Sequence, residues 1–154
     1  MKFKFRMQKV LEHRKTLENI AKADLESSQA KLNKEIEILQ DMIDLKKRSR
    51  LLTYEAQVDT VQSTASEKKF IFSQADSFQG LQDIRIEKQK EIIKILEKEV
   101  ESKREILKNR AIEYKIIDKF KEKKMEQFKD ELKKKEQSEI DEIVVLRQAL
   151  GRSK

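Results

Sequence analysis

The chain of 154 residues contains no cysteine, no proline and no tryptophan, and it has only two glycines and one histidine. The lack of cysteine excludes a disulfide framework and a thiolate zinc site. A single histidine, His13, excludes a histidine-rich metal site and an imidazole relay. No apolar run approaches the ~20 residues that span a bilayer, and the N-terminus lacks the apolar segment of a signal peptide. We therefore expect a protein that stays in the cytoplasm.

Charged residues make up 42% of the chain and aromatic residues only 6%, which is typical of a coiled coil rather than a globule. The net charge is +7, and both ends are basic. Residues 121–135, for example, hold seven lysines and four acids. This basicity indicates an acidic partner, nucleic acid or an anionic membrane. The alternative is a solvated face that keeps a thin molecule in solution.

Apolar residues recur every eleven positions in both halves of the chain. Eleven residues fill three helical turns, so such a row stays on one face of a long, nearly straight helix. Two rows, one in each half, predict an all-α fold, namely a long two-helix antiparallel coiled-coil hairpin. The rows are Val10, Ala21, Leu32, Ile43 and Tyr54, and then Ile84, Ile95, Ile106, Ile117 and Phe128.

The position of the turn sets the pairing of the two helices. Thr64 and Glu67 fit a capping box, whereas Gly80 could end a helix in a left-handed conformation. A heptad row from Leu51 to Ala75 argues against Thr64, and the lack of other turn residues argues against Gly80. We favour a single domain, 1–154, with helix one at about 5–61, a turn at about 62–68 and helix two at about 69–148. Residues that face each other then have numbers that sum to about 127, as Ile43 with Ile84 or Leu32 with Ile95; a turn at Gly80 gives about 160.

The favoured register leaves a C-terminal helical overhang from about residue 118. It carries an apolar stripe that consists of Phe120, Met125, Phe128 and Leu132, and denser apolar residues follow between Ile140 and Leu150. An unpaired helix with an apolar stripe requires a partner. The alternative is a frayed, solvated tail.

The sequence contains no constellation that would support catalysis. Carboxylate pairs face solvent in any helical arrangement, no glycine-rich phosphate loop is present, and a helical hairpin lacks the concave pocket of an enzyme. We expect no enzyme activity, no cofactor and no small-molecule substrate. The lysines alternate with acids and no aromatic stacking platform is present, so we expect no nucleic-acid partner. Residues 1–17 could instead lie on a membrane surface as an amphipathic helix.

Three segments together resemble the flagellar FliJ protein family, a coiled-coil component of the bacterial flagellar export apparatus. The first is FKFRMQKVLEHRKTLENIAKADLE at the N-terminus, the second contains Phe78, Leu81 and Gln89, and the third is LKKKEQSEIDEIVVLRQ near the C-terminus. The resemblance spans nearly the whole chain.

The resemblance implies a soluble hairpin similar to the central stalk of rotary ATPases. Such a protein would enter the ring of the flagellar export ATPase, promote its assembly, contact the membrane export gate and escort export chaperones at the flagellar base, in support of motility. Mapped onto this chain, the export-gate contact consists of Met42, Leu45, Phe78, Leu81 and Gln89. The contact with the ATPase ring consists of Lys9, Arg14, Met125, Phe128, Leu132, Asp141, Glu142 and Arg147.

Three other hypotheses remain open at this point. The chain could be the stalk counterpart of a virulence-type secretion system, a generic coiled-coil scaffold or spacer, or a coiled coil that binds nucleic acid. Stimulation of a ring ATPase would separate a stalk from a scaffold. A steep dependence of duplex-DNA affinity on salt would support nucleic-acid binding.

Overall fold

The computed structural model of the chain describes residues 2–59 and 64–152, which form two long helices. Helix α1 is Gln8–Asp59 and helix α2 is Ala65–Gly151, and the described residues contain no strand. The two helices pack against each other, so the predicted all-α helical hairpin is confirmed. In the described part of the chain, no helix is long and apolar enough to cross a membrane.

The start of α2 is capped by Thr64 and Glu67. The backbone amide of Thr64 donates a hydrogen bond to the Glu67 carboxylate at 3.1 Å, which satisfies a donor that a helix start leaves free. Gly80 lies inside α2, has no positive φ and has open space around its Cα. A turn at Gly80 is therefore wrong, because α2 continues through this residue. A helix tolerates a lone glycine at a cost of only ~1 kcal/mol. Of the predicted turn, residues 62 and 63 lie outside the described residues.

The chain divides into two units, one formed by Met1–Ile20 with Lys108–Lys154 and the other by Ala21–Leu107. In the second unit, the Ser28 hydroxyl donates to the Glu99 carboxylate at 3.4 Å, and the Gln79 amide donates to the Ser49 hydroxyl at 3.3 Å. The residue numbers of these pairs sum to 127 and 128. In the first unit, Arg14 donates to the backbone carbonyl of Glu113 at 2.9 Å, again with a sum of 127. The helices are antiparallel within each unit, and the register agrees with the predicted sum of about 127.

The seam between the helices follows a seven-residue repeat rather than the predicted eleven-residue rows. Ile84, Ile95 and Ile106 of the second row are exposed, with Ile95 at 67%, so the predicted pairs that include them are wrong. A pair of helices meets by knobs-into-holes packing, which holds the contact to 3.5 residues per turn and favours a heptad over an eleven-residue row. On α2 the buried and half-buried positions advance in steps of three and four; they are Ala75, Gln79, Gln82, Ile86, Gln89, Ile93, Leu96, Val100, Lys103 and Leu107.

The N-terminal segment covers part of α2 that was predicted to be free. In the segment that precedes α1, half-buried apolar residues alternate with exposed cationic ones; the apolar residues are Phe3, Phe5 and Met7. This period of two is typical of an extended segment that lies on a surface. The Phe5 ring lies 6.0 Å from that of Phe120, and the Phe3 ring lies 5.6 Å from that of Phe128. The predicted overhang therefore begins later than residue 118, because an extended segment reaches further per residue than a helix does.

Candidate functional site

An open groove lies between the N-terminal segment and α2 in the unit that contains both chain ends. We call it the terminal groove, and it is lined by Phe3, Lys4, Phe5, Arg6, Gln8, Lys9, Glu12, Lys121 and Met125. Its aromatic and methionine side chains provide an apolar floor, and its cations outnumber its single carboxylate. The predicted ring contacts Lys9 and Met125 both lie here, which brings one residue from each end of the chain to the same surface.

Arg14, another predicted ring contact, has a structural role in the same unit. Its guanidinium is half-buried and donates to the Glu113 carbonyl across the pair of helices. The next residue, Lys15, places its ammonium 4.7 Å from the centre of the Tyr114 ring, a cation–π contact. Both cations therefore fasten α1 to α2, and Arg14 offers less of its charge to a partner than the exposed Lys9 does.

Met125, Phe128 and Leu132 are the last half-buried positions of α2. From residue 133 to residue 152 every side chain is exposed, and we call this segment the free end of α2. Six aliphatic residues lie on it with between 47% and 74% of their surface exposed, namely Ile140, Ile143, Val144, Val145, Leu146 and Leu150. So many exposed aliphatic side chains on one short segment indicate an interaction site.

The free end also carries the three charged residues predicted for the ring. Asp141, Glu142 and Arg147 are all exposed, and the Asp141 carboxylate accepts a hydrogen bond from the Gln137 amide at 3.1 Å. Asp141 and Glu142 border a shallow groove together with Ser138, Val145 and Leu146. Charged and aliphatic groups are thus adjacent on this segment, which is the composition of a polar rim around an apolar contact.

The residues predicted to contact the export gate lie in the other unit. Leu45, Phe78 and Leu81 are exposed to 48%, 37% and 60% respectively. Met42 is half-buried in the seam beside them. Three of the five predicted gate residues are therefore accessible apolar side chains.

Gln89 differs from the other predicted gate residues because it is only 6% exposed. Its side-chain amide donates to the backbone carbonyl of Glu35 at 3.0 Å and also to the Glu35 carboxylate. A buried amide whose donors are already used within the hairpin has little left to offer a partner. Gln89 therefore fixes the pairing of α1 with α2 instead of extending to the surface.

Sequence reasoning missed two groups of residues. One is the polar seam, in which Gln82 is only 3% exposed and the Gln79 side-chain carbonyl is buried without a hydrogen-bond partner. The other is the pair Phe3 and Phe5, which pack on α2. The alternation of Phe3, Phe5 and Met7 with cations was visible in the sequence and could have indicated the second group. The seam glutamines give no such signal, because glutamine is usually an exposed residue of helices.

The geometry provides little that catalysis could use. Within residues 2–59 and 64–152, no group of three or more His, Cys, Asp or Glu side chains is placed to hold a metal ion. His13 is exposed on α1. The grooves that the structure contains are open ones along helix surfaces, which suit the side chains of another protein better than a small molecule.

The model of one protein family, described as Flagellar FliJ protein, matches residues 3–153 of the chain. No curated protein matches the chain, and no solved structure matches it either. The matched range includes the terminal groove, the free end of α2 and the exposed apolar residues of the second unit.

Proposed function

The chain belongs to the flagellar FliJ protein family, and we propose that it acts as the stalk of the flagellar protein export apparatus. Membership of the family makes it a coiled-coil protein related to flagellar export. Its finer role, in our proposal, is to bind the ring of the export ATPase and promote its assembly, to contact the cytoplasmic domain of the export gate, and to escort export chaperones. It has no catalytic chemistry of its own.

The observation that carries this proposal is the free end of α2. Six aliphatic side chains are exposed on residues 133–152, and the terminal groove in the same unit is rich in cations. Apolar anchors supply most of the affinity of a protein interface, while charges around them speed and orient the encounter. The proposed contact with the ring consists of the free end, Lys9 and Met125. Arg14, Phe128 and Leu132 support this surface from within the unit.

The proposed gate contact lies in the unit Ala21–Leu107 and consists of Leu45, Phe78 and Leu81, with Met42 beside them. Gln89 holds the two helices in the register that brings these side chains together. The ring and the gate thus use residues of different units. In our proposal the protein acts in the cytoplasm and associates peripherally with the cytoplasmic face of the membrane at the flagellar base.

A binding experiment with two purified partners tests this assignment. The double variant Ile143→Ser with Leu146→Ser should bind the export ATPase at least about tenfold more weakly, because each lost anchor removes on the order of 1 kcal/mol or more. Its binding to the cytoplasmic domain of the gate should be unchanged. The variant Ile112→Ser with Ile116→Ser is the matched control, since it changes exposed isoleucines on the paired part of α2. Equal binding of both variants to the ATPase would place the ring contact elsewhere.

A further inference from the structure

The two sides of the seam in the unit Ala21–Leu107 differ in chemistry. On one side a shallow groove is lined by Ile43, Lys46, Lys47, Arg50, Asp83, Ile86, Glu87 and Lys90. The Lys46 ammonium also forms an ion pair with the Asp83 carboxylate there. This side, which we call the polar flank, is lined mostly by charged side chains and needs no cover.

The opposite side carries apolar residues from both helices, and we call it the apolar flank. In an antiparallel coiled coil, equivalent positions beside the seam of each helix lie on the same side of the pair. On α1 these residues recur every seven positions. On α2 they include two pairs three residues apart, Phe78 with Leu81 and Ile92 with Ile95, and Arg85 and Lys88 lie between the pairs. They are Ile38, Leu45 and Leu52 on α1, and Ile71, Phe78, Leu81, Ile92 and Ile95 on α2. All except the half-buried Ile38 are exposed.

The seam beside the apolar flank contains polar side chains where a self-sufficient pair of helices would have apolar ones. Ser28, Gln82 and Gln89 are buried, while Ile92 and Ile95 on the same helix as the glutamines are 45% and 67% exposed. Burial of aliphatic side chains is the main stabilising term in folding. A sequence that leaves several of them on one side of a polar seam is therefore built for a further element on that side.

The spacing of the apolar flank fits a helix as that element. Residues 38 to 52 of α1 cover ~21 Å, and residues 78 to 95 of α2 cover ~26 Å, at 1.5 Å per residue. A partner helix of about 14 to 18 residues has the same length. The seven-residue steps on α1, and the two-heptad spacing from Phe78 to Ile92 and from Leu81 to Ile95 on α2, match the apolar stripe of such a helix, which would complete a three-helix bundle.

The charges beside the apolar flank indicate the partner's sign. Lys34 and Arg48 border it on α1, and Arg85 and Lys88 lie between its two apolar pairs on α2, against Asp41 as the carboxylate among them. All four cations are exposed, and none has an ion-pair or hydrogen-bond partner within the described part of the chain. A second copy of the chain would bring the same cations face to face, which is repulsive. An acidic partner would pair with them instead.

We infer that the apolar flank is a docking site for an acidic amphipathic helix of another protein. The inference rests on the proposed gate contact, because Leu45, Phe78 and Leu81 belong to both, and it names the kind of segment that the partner supplies. It also extends the contact along the hairpin to Ile38, Ile92 and Ile95. The apolar face of the partner helix would lie between the apolar residues of α1 and those of α2. Its carboxylates would face the four cations.

A designed peptide tests this inference directly with the full chain. The probe is a labelled 21-residue helix with leucine at the two core positions of each heptad and glutamate on either side, and its affinity is measured by fluorescence anisotropy. The variant Ile92→Gln with Ile95→Gln should bind it about tenfold or more weakly, with an unchanged thermal melt because both side chains lie outside the seam. The matched control is Ile36→Gln with Ile84→Gln, which changes exposed isoleucines outside the apolar flank and should bind normally.

Three outcomes would overturn the inference. The first is equal binding of a probe in which lysine replaces glutamate, and the second is equal loss of binding in the control variant. The third is a dimer of the chain in sedimentation velocity that the Ile92 and Ile95 variant converts to a monomer, since the flank would then bind a second copy. The gate domain is measured separately. If it binds the wild-type chain and the Ile92 and Ile95 variant equally while the probe fails, the proposed function stands and the docked helix does not.

Discussion

Gln82 and Gln89 are buried more deeply than most of the isoleucines on the same helix. A buried amide must be hydrogen-bonded to be tolerated, and Gln89 meets this requirement only where Glu35 lies opposite it. A shift of α2 along α1 would leave the amide unpaired, whereas an isoleucine could slide to another apolar contact at little cost. These polar contacts therefore contribute to a single register, in the way that a polar residue in a coiled-coil seam fixes alignment.

Replacement of Gln89 by alanine should lower the free energy of unfolding by about 1–3 kcal/mol, since a buried hydrogen bond is lost and its partner is left incompletely satisfied. Urea denaturation followed by circular dichroism measures the change. Gln74→Ala is the matched control, because Gln74 is an exposed glutamine on the same helix, and it should change stability by less than about 0.5 kcal/mol. A loss no larger than that of the control would show that the contact with Glu35 has no energetic weight.

At the level of helices, the sequence predicted the hairpin, its antiparallel register and the cap at Thr64. The register could be predicted because the cap at Thr64 indicates where the chain reverses, whereas the eleven-residue rows agree equally with a reversal at Gly80. The face of α2 that enters the seam could not be predicted, since the row Ile84, Ile95 and Ile106 is the more apolar choice and yet lies outside. An apolar stripe in the sequence marks any helix face that is covered, whether the cover is the other helix or another protein.

The N-terminal segment shows a second limit of sequence reasoning. A helix was expected to begin near Phe5, but α1 begins at Gln8 and the preceding residues lie against α2. The prediction that Phe128 lacks an intramolecular contact is wrong, because the Phe3 ring packs on it. Only the wholly exposed free end of α2, further along the chain, retains the unpaired character that was assigned to the larger overhang.

Pairs of introduced cysteines distinguish the observed seam from the eleven-residue rows. Ser28→Cys with Glu99→Cys should be joined rapidly within one chain by a short thiol crosslinker, because these side chains meet across the helices at 3.4 Å. Leu32→Cys with Ile95→Cys should react much more slowly, since Leu32 is buried and Ile95 lies outside the seam. Mass spectrometry of the digested product identifies each link. Faster reaction of the second pair would mean that the eleven-residue rows do form the contact.

The whole chain combines a net charge of +7 with two separate sets of exposed apolar residues. One set lies on the free end of α2, in the same unit as the terminal groove, and the other is the apolar flank of the unit Ala21–Leu107. Positive charge increases the rate of encounter with acidic partners and makes it sensitive to salt. Apolar contacts determine how long a partner remains bound. Two surfaces of this kind suit a protein that connects two components of one apparatus.

The proposed role as a stalk for the export ATPase is measured most directly by the activity of that ATPase as the chain is added. We expect hydrolysis to rise with the concentration of the wild-type chain and to saturate as rings form. The variant Ile143→Ser with Leu146→Ser should give little stimulation, and the variant Ile92→Gln with Ile95→Gln should stimulate normally because its changes lie on the other surface. Hydrolysis that does not respond to the wild-type chain, or that responds equally to all three proteins, would contradict the proposed stalk role.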